Sequence, residues 1–106
     1  MTTFDKREEG FEKKFALDEE QKFKAEARRN KLLGLWVAEQ LGLSGEAAND
    51  YARTVVAADF EQAGDGVVGK VLGDLGAKGV AVTGTQLHAR MNELLAVAVA
   101  QVKAGT

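Results

Sequence analysis

Cysteine and proline are both missing from this 106-residue chain. Without cysteine there can be no disulfide and no thiolate metal site, a composition that suits a reducing compartment. The one histidine, His88, has no cysteine and no second histidine to join it around a metal. Long apolar runs are absent too. The longest, Leu94 to Ala100, falls far short of the roughly 20 residues that a membrane-spanning helix requires. Nor does one sign of charge dominate: a net charge of -2 argues against broad electrostatic binding to nucleic acid or to an anionic membrane. The N-terminus alternates acid and base where a secretory signal would run from basic to continuously apolar. The expectation is a protein made and kept in the cytoplasm.

No proline, few aromatics (7%) and a 3.6-residue period wherever the chain is apolar together predict an all-α protein. A chain of this length with 45% hydrophobic content makes one domain. Four body helices fit the pattern. The first carries Leu32, Leu33, Leu35, Trp36, Ala38 and Leu41, with Gly42 placed to end it as a left-handed cap and Trp36 assigned to the core. Ser44 opens the second, whose apolar face is Ala48, Tyr51, Ala52, Val55, Val56, Phe60 and Ala63; Gly64 and Asp65 read as stop and restart. Val67, Val68, Val71, Leu72 and Leu75 define a short third helix closed near Gly79. Thr83 with Gln86 three residues on reads as a capping box for a fourth, faced by Leu87, Met91, Leu94, Leu95, Ala98 and Val102. Short connections imply antiparallel neighbours in a small bundle.

Charge is unevenly spread. Residues Met1 to Lys31 hold 17 of the 30 charged residues, nine basic and eight acidic, together with four of the five phenylalanines. Phe4, Phe11 and Phe15 are spaced by seven and four residues, both near whole helical turns, so they form a stripe that Phe23 does not join. This segment reads as an N-terminal arm with an apolar face of its own. So charged an arm buries too little surface to fold alone, yet the aligned rings offer anchors once a groove is supplied. The other reading folds the three rings back onto the body to complete a small core. Ala16 to Lys31 belongs either to the arm or to a longer first helix.

Three features invite chemistry and do not hold it. Gly64 to Lys70, GDGVVGK, comes close to a phosphate loop, but an amphipathic helix precedes it in place of a strand, and Val71 stands where a hydroxyl would hold magnesium. Glu8 with Glu9, and Glu19 with Glu20, have lysines nearby and read as solvated ion pairs. Arg28, Arg29 and Lys31 form a basic cluster balanced by Glu26 and by the acidity of the whole chain. No catalytic constellation, cofactor site or metal site is expected. In the third helix Gly66, Gly69, Gly73 and Gly76 share one face; they read as a weak helix that frays early, with close approach of another backbone as the alternative.

The run FKAEARRNKLLGLW, Phe23 to Trp36, following FDKREEGFEKKFALDEE, resembles the zeta subunit of bacterial F-type ATP synthases, a family of ATPase inhibitors. LWVAEQLGLSG, YARTVVAADFEQAGD and MNELLAVA extend the resemblance over most of the chain; Gly66, Gly69, Gly73, Gly79 and the apolar Val80 to Val82 depart from it. The resemblance implies a small four-helix bundle, residues 20–106, with a mobile, partly helical arm, residues 1–19, that enters a catalytic alpha/beta interface as a helix and blocks rotation in the hydrolysis direction. It implies a partner, the catalytic head with its alpha, beta and central stalk subunits, and peripheral attachment to the membrane through that enzyme. On this reading Phe4, Phe11 and Phe15 are the anchors and Arg7, Glu8, Lys13 and Lys14 the polar partners at the groove rim. The free protein is expected to be a monomer. A helical adaptor or self-associating module is the alternative.

Overall fold

In the computed structural model, residues 17–61 and 66–105 are described. They form four helices: α1, Glu19–Gln40; α2, Gly45–Glu61; α3, Gly66–Ala77; and α4, Gly84–Lys103. No strand occurs among the described residues. The expected four-helix, all-α body is therefore what the chain forms. Ala63, Gly64 and Asp65 lie outside the described residues.

Local chemistry fixes most of the ends. Asp18 caps α1 by accepting from the Gln21 amide at 2.7 Å, while the Gln21 side chain accepts from the Asp18 amide at 3.2 Å. Thr83 and Gln86 repeat this reciprocal pair at the start of α4, at 3.1 and 3.0 Å. Such boxes satisfy two amides that a helix start would otherwise leave bare. Gly42, at φ 80°, closes α1: Leu43 N–H donates to Ala38 at 2.8 Å and Gly42 N–H to Glu39 at 3.1 Å. Gly79, at φ 78°, closes α3 in the same way, with Val80 donating to Leu75 and Gly79 to Gly76. Both glycines occupy backbone that a side chain would strain.

α1 is the central helix, packed mainly on α2 and α4, while α3 rests chiefly on α2. Contacts give the directions. Gly34 faces Ala52 and Phe23 meets Phe60, so α1 and α2 run antiparallel; Arg28 reaches Gln101 and Trp36 lies under Arg90, so α1 and α4 do too. The core joins Leu33 and Val37 of α1, Val55 of α2, Val67, Val71 and Leu75 of α3, and Leu87 and Met91 of α4. Trp36 is only half-buried; it packs on this core from outside, with the Arg90 guanidinium 4.9 Å from its ring centre. Phe60 departs further from expectation. It is 65% exposed, because it stands in the last turn of α2, beyond the core layers, where Phe23 of α1 is the ring that meets it.

The glycines divide into two kinds. A Cβ on Gly34 would lie 2.5 Å from the Ala52 Cα and 3.0 Å from its Cβ, so only glycine lets the two helix backbones approach this closely. On α3, a Cβ at Gly69, Gly73 or Gly76 would meet nothing within 4 Å. Among the described residues, these three therefore bring no other backbone close.

A polar clamp joins α2 to α3. The Tyr51 hydroxyl donates to the Asp74 carboxylate at 2.7 Å, Lys70 reaches the same oxygen at 3.1 Å, and the Lys70 ammonium lies 5.2 Å from the Tyr51 ring centre. Partial burial pushes the Tyr51 phenol up, and the hydrogen bond to Asp74 and its negative charge push the same way. For Asp74, desolvation acts upward but is outweighed by the hydrogen bonds from Tyr51 and Lys70 and by the Lys70 charge, so its carboxyl titrates below its ordinary value.

Two predictions follow from this packing. Gly34→Ala should destabilise the protein by about 1–3 kcal/mol despite alanine's better helix propensity, whereas Gly73→Ala should stabilise it by up to about 1 kcal/mol. Urea melts of both variants check this, and equal stability of Gly34→Ala and the parent would contradict the close approach. Because the folded Asp74 pKa is depressed below the unfolded value of about 3.9, its contribution is present above that pH and is lost as the pH falls through the folded pKa. Asp74→Asn should therefore cost about 0.5–1 kcal/mol at pH 7, with the gap to the parent closing below pH ~4. A gap that persists unchanged at pH ~3 would show that the charge of Asp74 is not what matters.

Candidate partner-binding surfaces

The seven residues expected to contact a partner, Phe4, Arg7, Glu8, Phe11, Lys13, Lys14 and Phe15, lie outside the described residues. Their covalent attachment does not. The described residues begin at Leu17 and Asp18, and the capping box at Asp18 makes Glu19 the first residue of a helix that runs unbroken to Gln40. Of the two readings of Ala16 to Lys31, the structure selects the longer first helix from Glu19 onward. Asp18 with Gln21 has the same spacing as Thr83 with Gln86, so the sequence carried the signal; the search for an apolar stripe beginning at Leu32 passed over it.

The opening turns of α1 are mostly polar: Lys24 and Glu20 pair at 3.1 Å, both well exposed. Phe23 breaks this surface. It is 57% exposed, and its ring centre lies 5.8 Å from that of Phe60, with the planes tilted by 49°. Beside this pair an open groove of about 630 Å³ runs between α1, α2 and α4, floored by Ala27, Val56 and Val102. Lys24, Arg28 and Lys31 line its α1 side. Sequence reasoning did not assemble this surface, since it joins a stripe of α1 to single residues of α2 and α4 that meet it only in the fold.

The basic cluster separates once folded. Arg28 donates to the Gln101 side chain of α4 at 3.3 Å, whereas Arg29 donates twice to the Oδ1 of Asn30, at 3.3 and 3.1 Å. Asn30 is 1% exposed and its Nδ2 has no hydrogen-bond partner among the described residues, a cost of about 1–3 kcal/mol for a buried donor. In the stretch resembling a phosphate loop, Lys70 is committed to Asp74 and to the Tyr51 ring. His88 is exposed on α4. Among the described residues no group of three His, Cys, Asp or Glu side chains could hold a metal ion, and no helix is long and apolar enough to cross a membrane.

Comparison with known proteins follows this geometry closely. The family model for ATPase inhibitor subunit zeta matches residues 1–101, arm and body together. A solution NMR structure of a protein 55% identical in sequence superimposes with a TM-score of 0.68, over 79% of this chain and 96% of that one. No curated protein matches the chain. The family match spans nearly the whole sequence, and the solved relative has the same fold at high identity; the chain belongs to the ATPase inhibitor subunit zeta family.

Proposed function

We propose that this protein inhibits ATP hydrolysis by a bacterial F-type ATP synthase by inserting its N-terminal arm, residues 1–19, as a helix at a catalytic alpha/beta interface. The family is one of ATPase inhibitors, and inhibition by insertion needs no chemistry from the chain. The observation that carries the reading is the alignment of Phe4, Phe11 and Phe15 on one helical face of a segment otherwise crowded with charge. Burying each ring contributes roughly 1.5–3 kcal/mol, enough in sum to offset much of the entropy of ordering a short helix. Arg7, Glu8, Lys13 and Lys14 flank the stripe and suit the wetter rim of such a groove. The arm leads directly into the capped start of α1, so a helix formed on binding has a fixed point from which to extend. The alpha, beta and central stalk subunits of the head are the partners on this reading, and the protein reaches the cytoplasmic face of the membrane through them.

Full-length protein with Phe11→Glu and Phe15→Glu should lose inhibition of the purified cognate ATPase head while its melting temperature stays nearly unchanged. Retained inhibition with a lowered melting temperature would instead place the phenylalanines against the body and overturn the insertion reading. The exposed pair Phe23 and Phe60 favours a second reading, a helical adaptor or self-associating module; sedimentation showing a monomer at all concentrations would count against its self-associating form.

A further inference from the structure

The described residues with large exposed apolar side chains are Phe23, Phe60 and Val97, and two of the three touch one another at one end of the bundle. Exposed aromatic pairs beside a groove mark interaction sites far more often than isolated exposed residues do. The antiparallel packing brings the start of α1 together here with the ends of α2 and α4. The groove floor, Ala27, Val56 and Val102, is apolar, and the ionisable residues that line it among those described, Lys24, Arg28 and Lys31, are all cations. Those three stand four and three residues apart, one stripe along α1. The chain as a whole is acidic, at -2, so this local sign runs against its background.

We propose that this groove is a docking surface, separate from the arm, for an amphipathic protein segment whose carboxylates flank an apolar anchor. The inference rests on the function proposed above in placing that segment on the ATPase head. Shape and charge select this occupant. The groove is partly open to solvent, whereas small-molecule pockets enclose most of their ligand; a helix laid into a groove is the mode that fits. A symmetric pair of copies meeting at this face would set Lys24, Arg28 and Lys31 of one against the same cations of the other. Residues 1–16 of the chain's own arm are neutral, with Asp5, Glu8, Glu9 and Glu12 against Lys6, Arg7, Lys13 and Lys14, and its two further acids, Asp18 and Glu19, are held in the capped first turn of α1, so residues 1–16 have no net charge to offer the cations. An acidic segment gains at both the apolar floor and the basic wall. Lys24 is already paired with Glu20, but both side chains are more than half exposed, and such a pair exchanges partners at little cost.

The test is equilibrium binding of full-length protein to the purified cognate ATPase head, for the parent, for Phe23→Gln with Phe60→Gln, for Lys24→Glu with Lys31→Glu, and for the arm variant Phe11→Glu with Phe15→Glu. Both groove variants should bind about tenfold more weakly or worse and melt within a few degrees of the parent, because the replaced side chains are exposed. The arm variant should still bind without inhibiting, and adding the groove substitutions to it should abolish binding. Groove variants that bind as tightly as the parent overturn the inference and leave the arm reading standing; an arm variant that inhibits fully overturns the arm reading instead. A parent that does not bind the head overturns both. Two further results overturn the inference: concentration-dependent dimers that the Phe23 and Phe60 substitutions dissolve, and amide shifts at Ala27 and Val102 when Phe11 and Phe15 are replaced in the free protein, which would make the arm the occupant.

Discussion

The backbone-to-backbone contact at Gly34 and Ala52 is the constraint on which the rest of the body depends. It sets how closely α1 approaches α2, and a close approach is what a core of small residues demands. The buried apolar set of the described residues is mostly valine and alanine, with Leu33, Leu75, Leu87 and Met91 as its larger members. Side chains of that size fill the space between helices only when the axes lie near one another. Were α1 pushed outward by one methyl group, Leu33 and Val37 would lose contact with Val55 together, since all three belong to the same buried cluster. α4 packs on the opposite flank of α1, so the displacement would reach Leu87 and Met91 as well.

A core built this way leaves the aromatic residues outside it. None of the buried residues among those described is aromatic, and the four aromatic side chains of the described body divide by what they do at the surface. Trp36 and Tyr51 are half-buried and each has a cation over its ring, Arg90 in one case and Lys70 in the other. Those rings seal seams, α1 to α4 and α2 to α3. Phe23 and Phe60 have no polar handle and seal nothing beyond each other. In a protein with so small a core, two large rings left in water are stability forgone, which is the pattern expected where a surface is held ready for a partner.

How much of this was legible depended on how local the determinant was. Gly42, Gly79 and the pair Thr83 and Gln86 were readable because a left-handed turn or a capping box is decided within six residues of sequence. The apolar stripes of α3 and α4 were readable for the same reason. Gly34 was not, since a glycine inside an apolar run looks the same whether it is tolerated or required, and only the position of Ala52 distinguishes the two. Phe60 follows the period of its helix faithfully and is nonetheless exposed, because periodicity says which face a residue is on and not whether the neighbouring helix extends that far. The exposed glycines of α3 illustrate the converse: the stripe was plain in the sequence, and among the described residues it has no counterpart. Of the candidate surfaces, the arm is a pattern of sequence whose residues lie outside those described, while the groove, assembled from α1, α2 and α4, needed the fold.

The unbroken course of α1 ties these surfaces together. The arm enters it at Asp18, Phe23 lies five residues on, and the cations at Lys24, Arg28 and Lys31 follow within three turns. A partner that has captured the arm therefore holds the groove within a few turns of its own surface, and a second contact there forms at high effective concentration. Neither contact then needs to be strong. Ordering a segment on binding costs conformational entropy, and a groove of this size, taken alone, is small for a stable interface. On the insertion and the docking proposed above, the two contacts, joined through one helix, add their free energies while meeting the entropic cost of association once.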